Sequence, residues 1–252
     1  MKHRVSGSKY GLAQVCSYWA RVDVVCPPRP VGEAAHVGTA VHAHVEHRQR
    51  LRMGEAPVGS GAGVLVTDYD AQAWPMVRQA NLWLDTTDVP THVEIPIVYD
   101  AATDTARLAE MSGPRGYRDV GPMQIPTTLD LLWVGKDHID VLDLKTGQER
   151  HAHGEQLDIQ ALAASRLFRK TAARVGFLFA RKTKVIPPAW RELDEGDLEA
   201  EAWKAASVMR ALPMAEPQPG PHCWTCPLGK DHCPAHQAPT AEDMAEAFAS
   251  VG

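Results

Sequence analysis

No stretch of the 252-residue chain approaches the roughly 18 consecutive apolar residues that a membrane-spanning helix needs, so a helical membrane protein is excluded. Lys2, His3 and Arg4 stand near the start, but Ser6, Ser8, Lys9 and Gln14 interrupt the apolar run of a secretory signal, and the chain is expected to stay in the cytoplasm. A basic excess is also missing. With a formal net charge of −5, there is no general attraction to phosphate backbones, and any contact with nucleic acid has to be made locally. Cysteine is scarce: Cys16 and Cys26 lie near the start, Cys223, Cys226 and Cys233 near the end. An odd number in a reducing compartment argues for metal ligation rather than a disulfide framework. No internal repeat is present, and no Gly-rich loop ending in Lys-Ser/Thr that would bind nucleotide phosphates.

What is there is ordinary for a globular chain: 44% hydrophobic and 23% charged residues, with enough length for a substantial core. One unit over 1–252 is expected, with a core at about 33–195, terminal segments at about 6–26 and 212–236, and a flexible tail at 237–252. The Pro-rich stretch near position 213 marks the start of the appendage. Basic residues concentrate between Arg166 and Lys184 (Arg166, Arg169, Lys170, Arg174, Arg181, Lys182 and Lys184), readable as a local groove or as a solvated helix face followed by a charged loop.

Periodicity divides the chain further. Tyr10, Ala13, Val15, Tyr18 and Trp19 suggest a short helix from Ser6 to about Val24, stopped by Pro27, Pro28 and Pro30. A second helix, about Ala34–Met53, puts Gly38, His42 and Glu46 along one stripe. A third follows at about Asp70–Leu84. The β-branched run His92–Tyr99 reads as a strand, which Pro96 would place at an edge or bulge. Residues 101–122 form an excursion or hairpin. Strands at about Thr127–Val134 and His138–Leu144 are joined by Gly135-Lys136-Asp137, a tight-turn sequence. A helix at about Glu155–Phe168, a strand at Val175–Ala180 and a helix at Asp197–Ala211 complete an α/β pattern with a mixed sheet.

The sharpest local signal is Leu129-Asp130-Leu131-Leu132 followed by Asp143-Leu144-Lys145-Thr146-Gly147. Side chains alternate along a strand, so Asp143 and Lys145 share a face, and a hairpin partner can bring Asp130 beside them. Hard carboxylate oxygens suit Mg²⁺ or Mn²⁺. Such an ion activates water and offsets phosphate charge, while the lysine acts on the nucleophile or the developing charge. The plain alternative is a weak ion pair on the solvent side of a half-buried sheet.

The order of these residues resembles the PD-(D/E)XK nuclease superfamily, and Asp143-Leu-Lys145-Thr-Gly147 resembles its RecB-like branch. Gly38-Thr-Ala-Val-His42 is similar to that branch's G-x-x-x-H helix, and Gln156-Leu-Asp-Ile-Gln160 to its Q-x-x-x-Y helix, with Gln160 where tyrosine is usual. The resemblance implies a restriction-endonuclease-like mixed sheet flanked by helices. It assigns Asp130, Asp143, Lys145 and Gln156 to catalysis, and His42, Asp130, Asp143 and the Leu144 carbonyl to Mg²⁺ or Mn²⁺. DNA contacts are expected at Gln160, Thr146, Arg166 and Lys182. His36, His44 and His47 are read as ordinary helix histidines, and Glu46 and Glu94 as structural.

Cys223-x₂-Cys226-x₆-Cys233 is a metal-binding array with one ligand position open. In an iron–sulfur subgroup of the RecB-like branch, similar to AddB-type and CRISPR-adaptation nucleases, the fourth cysteine comes from near the N-terminus, the place of Cys16. That implies a [4Fe–4S] cluster joining the chain ends. Structural zinc remains open on spacing alone, with His222, His232 and His236 nearby; Cys26 has no counterpart and is read as a free thiol. The implied activity is DNA cleavage, as an exonuclease on ends or single strands, in recombination, repair, phage replication or CRISPR processing, alone or beside a helicase. The competing reading is a non-catalytic DNA-binding or complex-forming subunit on the same fold.

Overall fold

In the computed structural model, residues 5–22, 32–55, 68–112, 116–147 and 154–218, together with Cys223 and Cys233, are described. The N-terminal region makes two helices, α1 (Gly7–Val15) and α2 (Ser17–Val22), where one was expected. The break is at Cys16, whose backbone turns extended (φ −145°, ψ 90°) while its amide still reaches the Leu12 carbonyl at 2.9 Å. Next come α3 (Glu33–Arg52) and α4 (Asp70–Leu84), within a residue of the periodic reading.

The sheet contains β1 (His92–Asp100), β2 (Thr105–Leu108), β3 (Gln124–Val134), β4 (His138–Lys145), β5 (Ala172–Ala180), β6 (Val185–Ile186) and β7 (Arg191–Leu193). Helix α5 (Gly154–Phe168) lies between β4 and β5 in the chain, and α6 (Glu195–Ala211) follows β7. Strand order is β2-β1-β3-β4-β5-β6, with β7 also on β5. All pairs are antiparallel except β4 with β5. That one parallel pair needs a crossover, and α5 supplies it. The result is a mixed α/β fold whose central, mostly antiparallel sheet carries helices on both faces.

One apolar cluster packs α1, α5 and α6 against Ile95, Ile97, Tyr99, Leu129, Leu132, Ile139, Val141 and Val175. The other packs α3 and α4 against Val93, Leu131, Leu142, Leu144, Leu178 and Ala180. Alternation along β4 sorts these neatly, with Ile139 and Val141 on one side and Leu142 and Leu144 on the other. α1 sits close on its side because Gly7 lacks a side chain: a Cβ there would come within 2.4 Å of Thr127 Oγ1.

Pro96 is less exceptional than its sequence position suggested. β1 pairs with β3 from His92 to Asp100 apart from Glu94, but with β2 only from Ile97 onward. The Pro96 carbonyl points to the β2 side, accepting from the Ala109 amide, so the missing N–H falls beyond the last rung of that pair. The excursion after β1 is a hairpin into β2, its turn held by Asp100 Oδ1, which accepts from the amides of Ala102 and Thr103. β6 and β7 were not expected; at two and three residues they are too short to show a period.

Candidate active site

Asp143 and Lys145 stand two apart on β4 and face α5. Asp143 is 3% exposed, and the Lys145 ammonium lies 2.7 Å from its Oδ2. Gln156, in the first turn of α5, donates to Asp143 Oδ1 at 2.7 Å, and its Oε1 accepts from Lys145 Nζ at 3.1 Å. The amide thus closes a ring of three side chains, each oriented by the other two.

Asp130 lies one residue past the last β3–β4 rung, Leu131 opposite Leu142. There its carboxylate takes over from the backbone: Oδ2 accepts the Leu144 amide at 2.7 Å. The β1–β3 pair changes character at the same level. Val93 opposes Leu131 and Ile95 opposes Leu129 in the same register, with no pair between Glu94 and Asp130, yet the first rung belongs to the cluster under α3 and α4 and the second to the cluster under α1 and α5. Residues two apart on a regular strand share a face, so the pair inverts at Glu94 and Asp130. Glu94 makes the inversion with a left-handed backbone, φ 48°, which side chains other than glycine seldom adopt.

The inversion turns both carboxylates toward α3. His42 Nδ1 is 3.6 Å from Glu94 Oε1 and 3.5 Å from Asp130 Oδ2, and the three donor atoms lie within 4.8 Å of one another. The recess between them, lined also by Val45, Glu46, Val93, Leu131 and Leu144, has about 10 Å³ of free volume, room for one water or one ion. Gly38, a turn before His42, lets α3 approach the end of β4: a Cβ would sit 3.0 Å from Thr146 Oγ1.

The electrostatics differ across the site. Burial and the neighbouring Asp130 charge push the Asp143 carboxyl up to about 6, with Lys145 offsetting only part. Burial also works to raise Asp130, but the His42 charge, the Leu144 amide and Lys145 outweigh it and hold that carboxyl below its ordinary range. His42 is raised well above the usual imidazole value: burial opposes its charge, and Asp130 and Glu94 overcome it. Glu94 is raised by burial and by Asp130, with His42 working against them.

Asp130, Asp143, Lys145, Gln156, His42 and Leu144 are therefore brought to one place. Glu94, read from sequence as structural, belongs there too; its signal was a carboxylate set among the apolar residues from Val93 to Tyr99. Glu46 also borders the recess while pairing with Arg50, and His44 pairs with Asp70 at 3.2 Å.

The residues expected at DNA fare differently. Gln160 is 1% exposed and donates to the Thr128 carbonyl, so it is a core residue rather than a surface contact. Arg166 pairs with Asp104, which also accepts from the Tyr99 hydroxyl. Thr146 sits against α3 at Gly38, while Lys182 is exposed beyond β5. Nor is the basic segment one groove: Arg174 pairs with Asp140 and Lys170 donates to the Lys136 carbonyl, leaving Arg169, Lys182 and Lys184 exposed.

Cys16 is 5% exposed, Cys223 5% and Cys233 8%; Cys16 and Cys233, from opposite ends of the chain, enter the same apolar cluster. Among the described residues no cysteine belongs to a group of three donors as tight as His42, Glu94 and Asp130. Cys26, Cys226, His222, His232 and His236 lie outside the described residues.

With a mixed sheet gathering carboxylates, a lysine and a histidine at one strand end, the chain belongs to the PD-(D/E)XK nuclease superfamily, whose family model matches residues 4–234. Membership makes it a nuclease, a phosphodiesterase of a superfamily that generally uses divalent metals. The chain is also similar to the solved structure of SSO0001, at 15% identity and a TM-score of 0.32, covering 79% of this chain and 86% of that one. A second similar structure, from Eubacterium rectale and named "Putative exonuclease", shows 10% identity and a TM-score of 0.43 over 84% of this chain and 80% of that one. Among curated proteins none matches.

Proposed function

We propose that the chain is a Mg²⁺- or Mn²⁺-dependent DNA exonuclease of the RecB-like branch, acting on ends or single strands. The observation that carries this reading is the convergence of His42, Asp130, Asp143, Lys145 and Gln156 across two strands and two helices. The donor set suits a hard cation: His42, Asp130, Asp143 and the Leu144 carbonyl would hold it, and the small recess beside Asp130 is of ionic size. Bound there, the ion would polarise the scissile phosphate and lower the pKa of water.

The chain's own residues do the rest. Lys145 Nζ, held by Asp143 Oδ2 and Gln156 Oε1, presents its remaining proton to the attacking water or to the phosphate oxygens as charge grows. Gln156 fixes that ammonium and keeps Asp143 from rotating. Asp130 ties β3 to the Leu144 amide, which sets the Leu144 carbonyl beside the carboxylates.

Cys16, Cys223, Cys226 and Cys233 would hold a [4Fe–4S] cluster that fastens the C-terminal segment to the helix pair at the start. Burial of the three described cysteines, two of them in one cluster, supports thiolate ligation over exposed redox chemistry. Zinc is the alternative occupant. The protein would work in the cytoplasm, in recombination, repair, phage replication or CRISPR processing, with a helicase or similar partner.

The test is cleavage of end-labelled single- and double-stranded DNA by purified protein with Mn²⁺ or Mg²⁺. Degradation that vanishes in Asp143→Ala and in Lys145→Ala is expected; equal activity in both variants would overturn the assignment. Iron, sulfide and absorption near 400 nm in anaerobic protein distinguish the cluster from zinc.

A further inference from the structure

Glu94 belongs to none of the motifs, and its backbone is the most unusual in the site. We propose that Glu94 is a direct ligand of the divalent cation, and that its left-handed backbone is the device that delivers its carboxylate to the site. This rests on the nuclease reading and adds a donor to it.

Three observations converge. First, a regular β1 would send residue 94 to the side opposite Val93 and Ile95. Val93 and Ile95 instead lie in different apolar clusters, so the strand inverts at Glu94, directly across from the Asp130 level where β3 inverts as well. The φ of 48° is where that turn is made. A glutamate held so costs on the order of 1–3 kcal/mol relative to a relaxed strand residue. Glycine or asparagine would meet the same backbone demand more cheaply, so the turn itself does not call for a carboxylate.

Second, the donors are spaced for an ion rather than for each other. His42 Nδ1 stands 3.6 Å from Glu94 Oε1 and 3.5 Å from Asp130 Oδ2, longer than the 2.7–3.2 Å of a good N–H···O bond. Donors sharing an octahedral ion at about 2.1 Å sit roughly 3–4 Å apart. Third, the carboxylate borders the ion-sized recess that His42 and Asp130 also line. An imidazole with two carboxylates is a donor set better matched to Mn²⁺ than to Ca²⁺.

Titration of metal-free full-length protein with Mn²⁺, followed calorimetrically and by loss of the free-ion electron paramagnetic resonance signal, tests this without relying on catalysis. Glu94→Gln should weaken Mn²⁺ binding at least tenfold. Glu94→Gly should weaken it equally, while melting at the same temperature as the wild type in EDTA or about 2–4 °C higher, because the strain is relieved. Glu55→Gln, which removes the same charge from a residue paired with Arg50, should bind as the wild type does. Wild-type affinity in Glu94→Gln, or a Glu94→Gly protein that melts lower but binds Mn²⁺ normally, overturns the proposal and leaves the nuclease reading standing. A wild-type chain that neither binds Mn²⁺ nor cleaves DNA brings down both.

Discussion

The two halves of the candidate site are built on opposite plans. On the α5 side, Asp143, Lys145 and Gln156 satisfy one another at 2.7–3.1 Å, and Asp143 is sealed from solvent. On the α3 side, His42, Glu94 and Asp130 stand apart around a small recess, and Glu94 reaches it only through a strained backbone. In the first half Lys145 and Gln156 brace Asp143, which is shared between the chemistry and the ion. In the second the donors stand at the spacing of a common cation, so loss of Lys145 or Gln156 should show as chemistry and loss of His42, Glu94 or Asp130 as ion affinity.

The largest effect that would sharpen this contrast is Lys145→Ala. It should cut the single-turnover cleavage rate by at least about a thousandfold while Mn²⁺ affinity changes by less than tenfold, both measured on the same preparation. A parallel collapse of ion binding would erase the distinction between halves. Asp130→Ala comes next and should do two things at once: abolish binding, and lower stability by about 1–3 kcal/mol in urea melts with EDTA, because the Leu144 amide loses its acceptor. Gln156→Leu should reduce the rate about 10–100-fold with little change in KM, since it releases Lys145 and Asp143 without touching the recess.

A smaller effect follows from Asp143. Its carboxyl is raised from the usual 3.8 to about 6 by burial and by Asp130, so the folded chain holds that proton more tightly than the unfolded one. The resulting contribution is full below pH 4 and lost as pH rises through about 6, on the order of 2 kcal/mol in metal-free protein. Asp143→Asn should flatten that part of the stability profile. Arg166→Ala, which breaks a surface pair with Asp104, should cost under about 1 kcal/mol and leave cleavage unchanged.

Much of the site was legible because strand alternation and helix stripes are short-range rules. Asp143 and Lys145 on one face follow from a period of two, and Gly38 and His42 on one stripe from a period near four. Asp130 needed only a hairpin, and the Gly135-Lys136-Asp137 turn announced it. Glu94 was not legible for a different reason. Its place depends on pairing across the 101–122 excursion and on one backbone angle that no periodicity encodes. Gln160 was misplaced because it was read from its motif; on α5 it follows Ile159 and precedes Ala161, both fully buried, and it turns to the Thr128 carbonyl. The break at Cys16 escaped notice because the helical pattern continues on both sides of it.

The bond from the Leu144 amide to Asp130 has a practical side. Where β3 and β4 stop pairing through their backbones, a side chain finishes the ladder, so that carboxylate is part of the sheet as well as of the site. An inactive form made by removing it would be a damaged scaffold, and its failure in any assay would be ambiguous. Lys145, whose partners are side chains alone among the contacts described, is the position at which to silence the enzyme for trapping DNA or capturing partners.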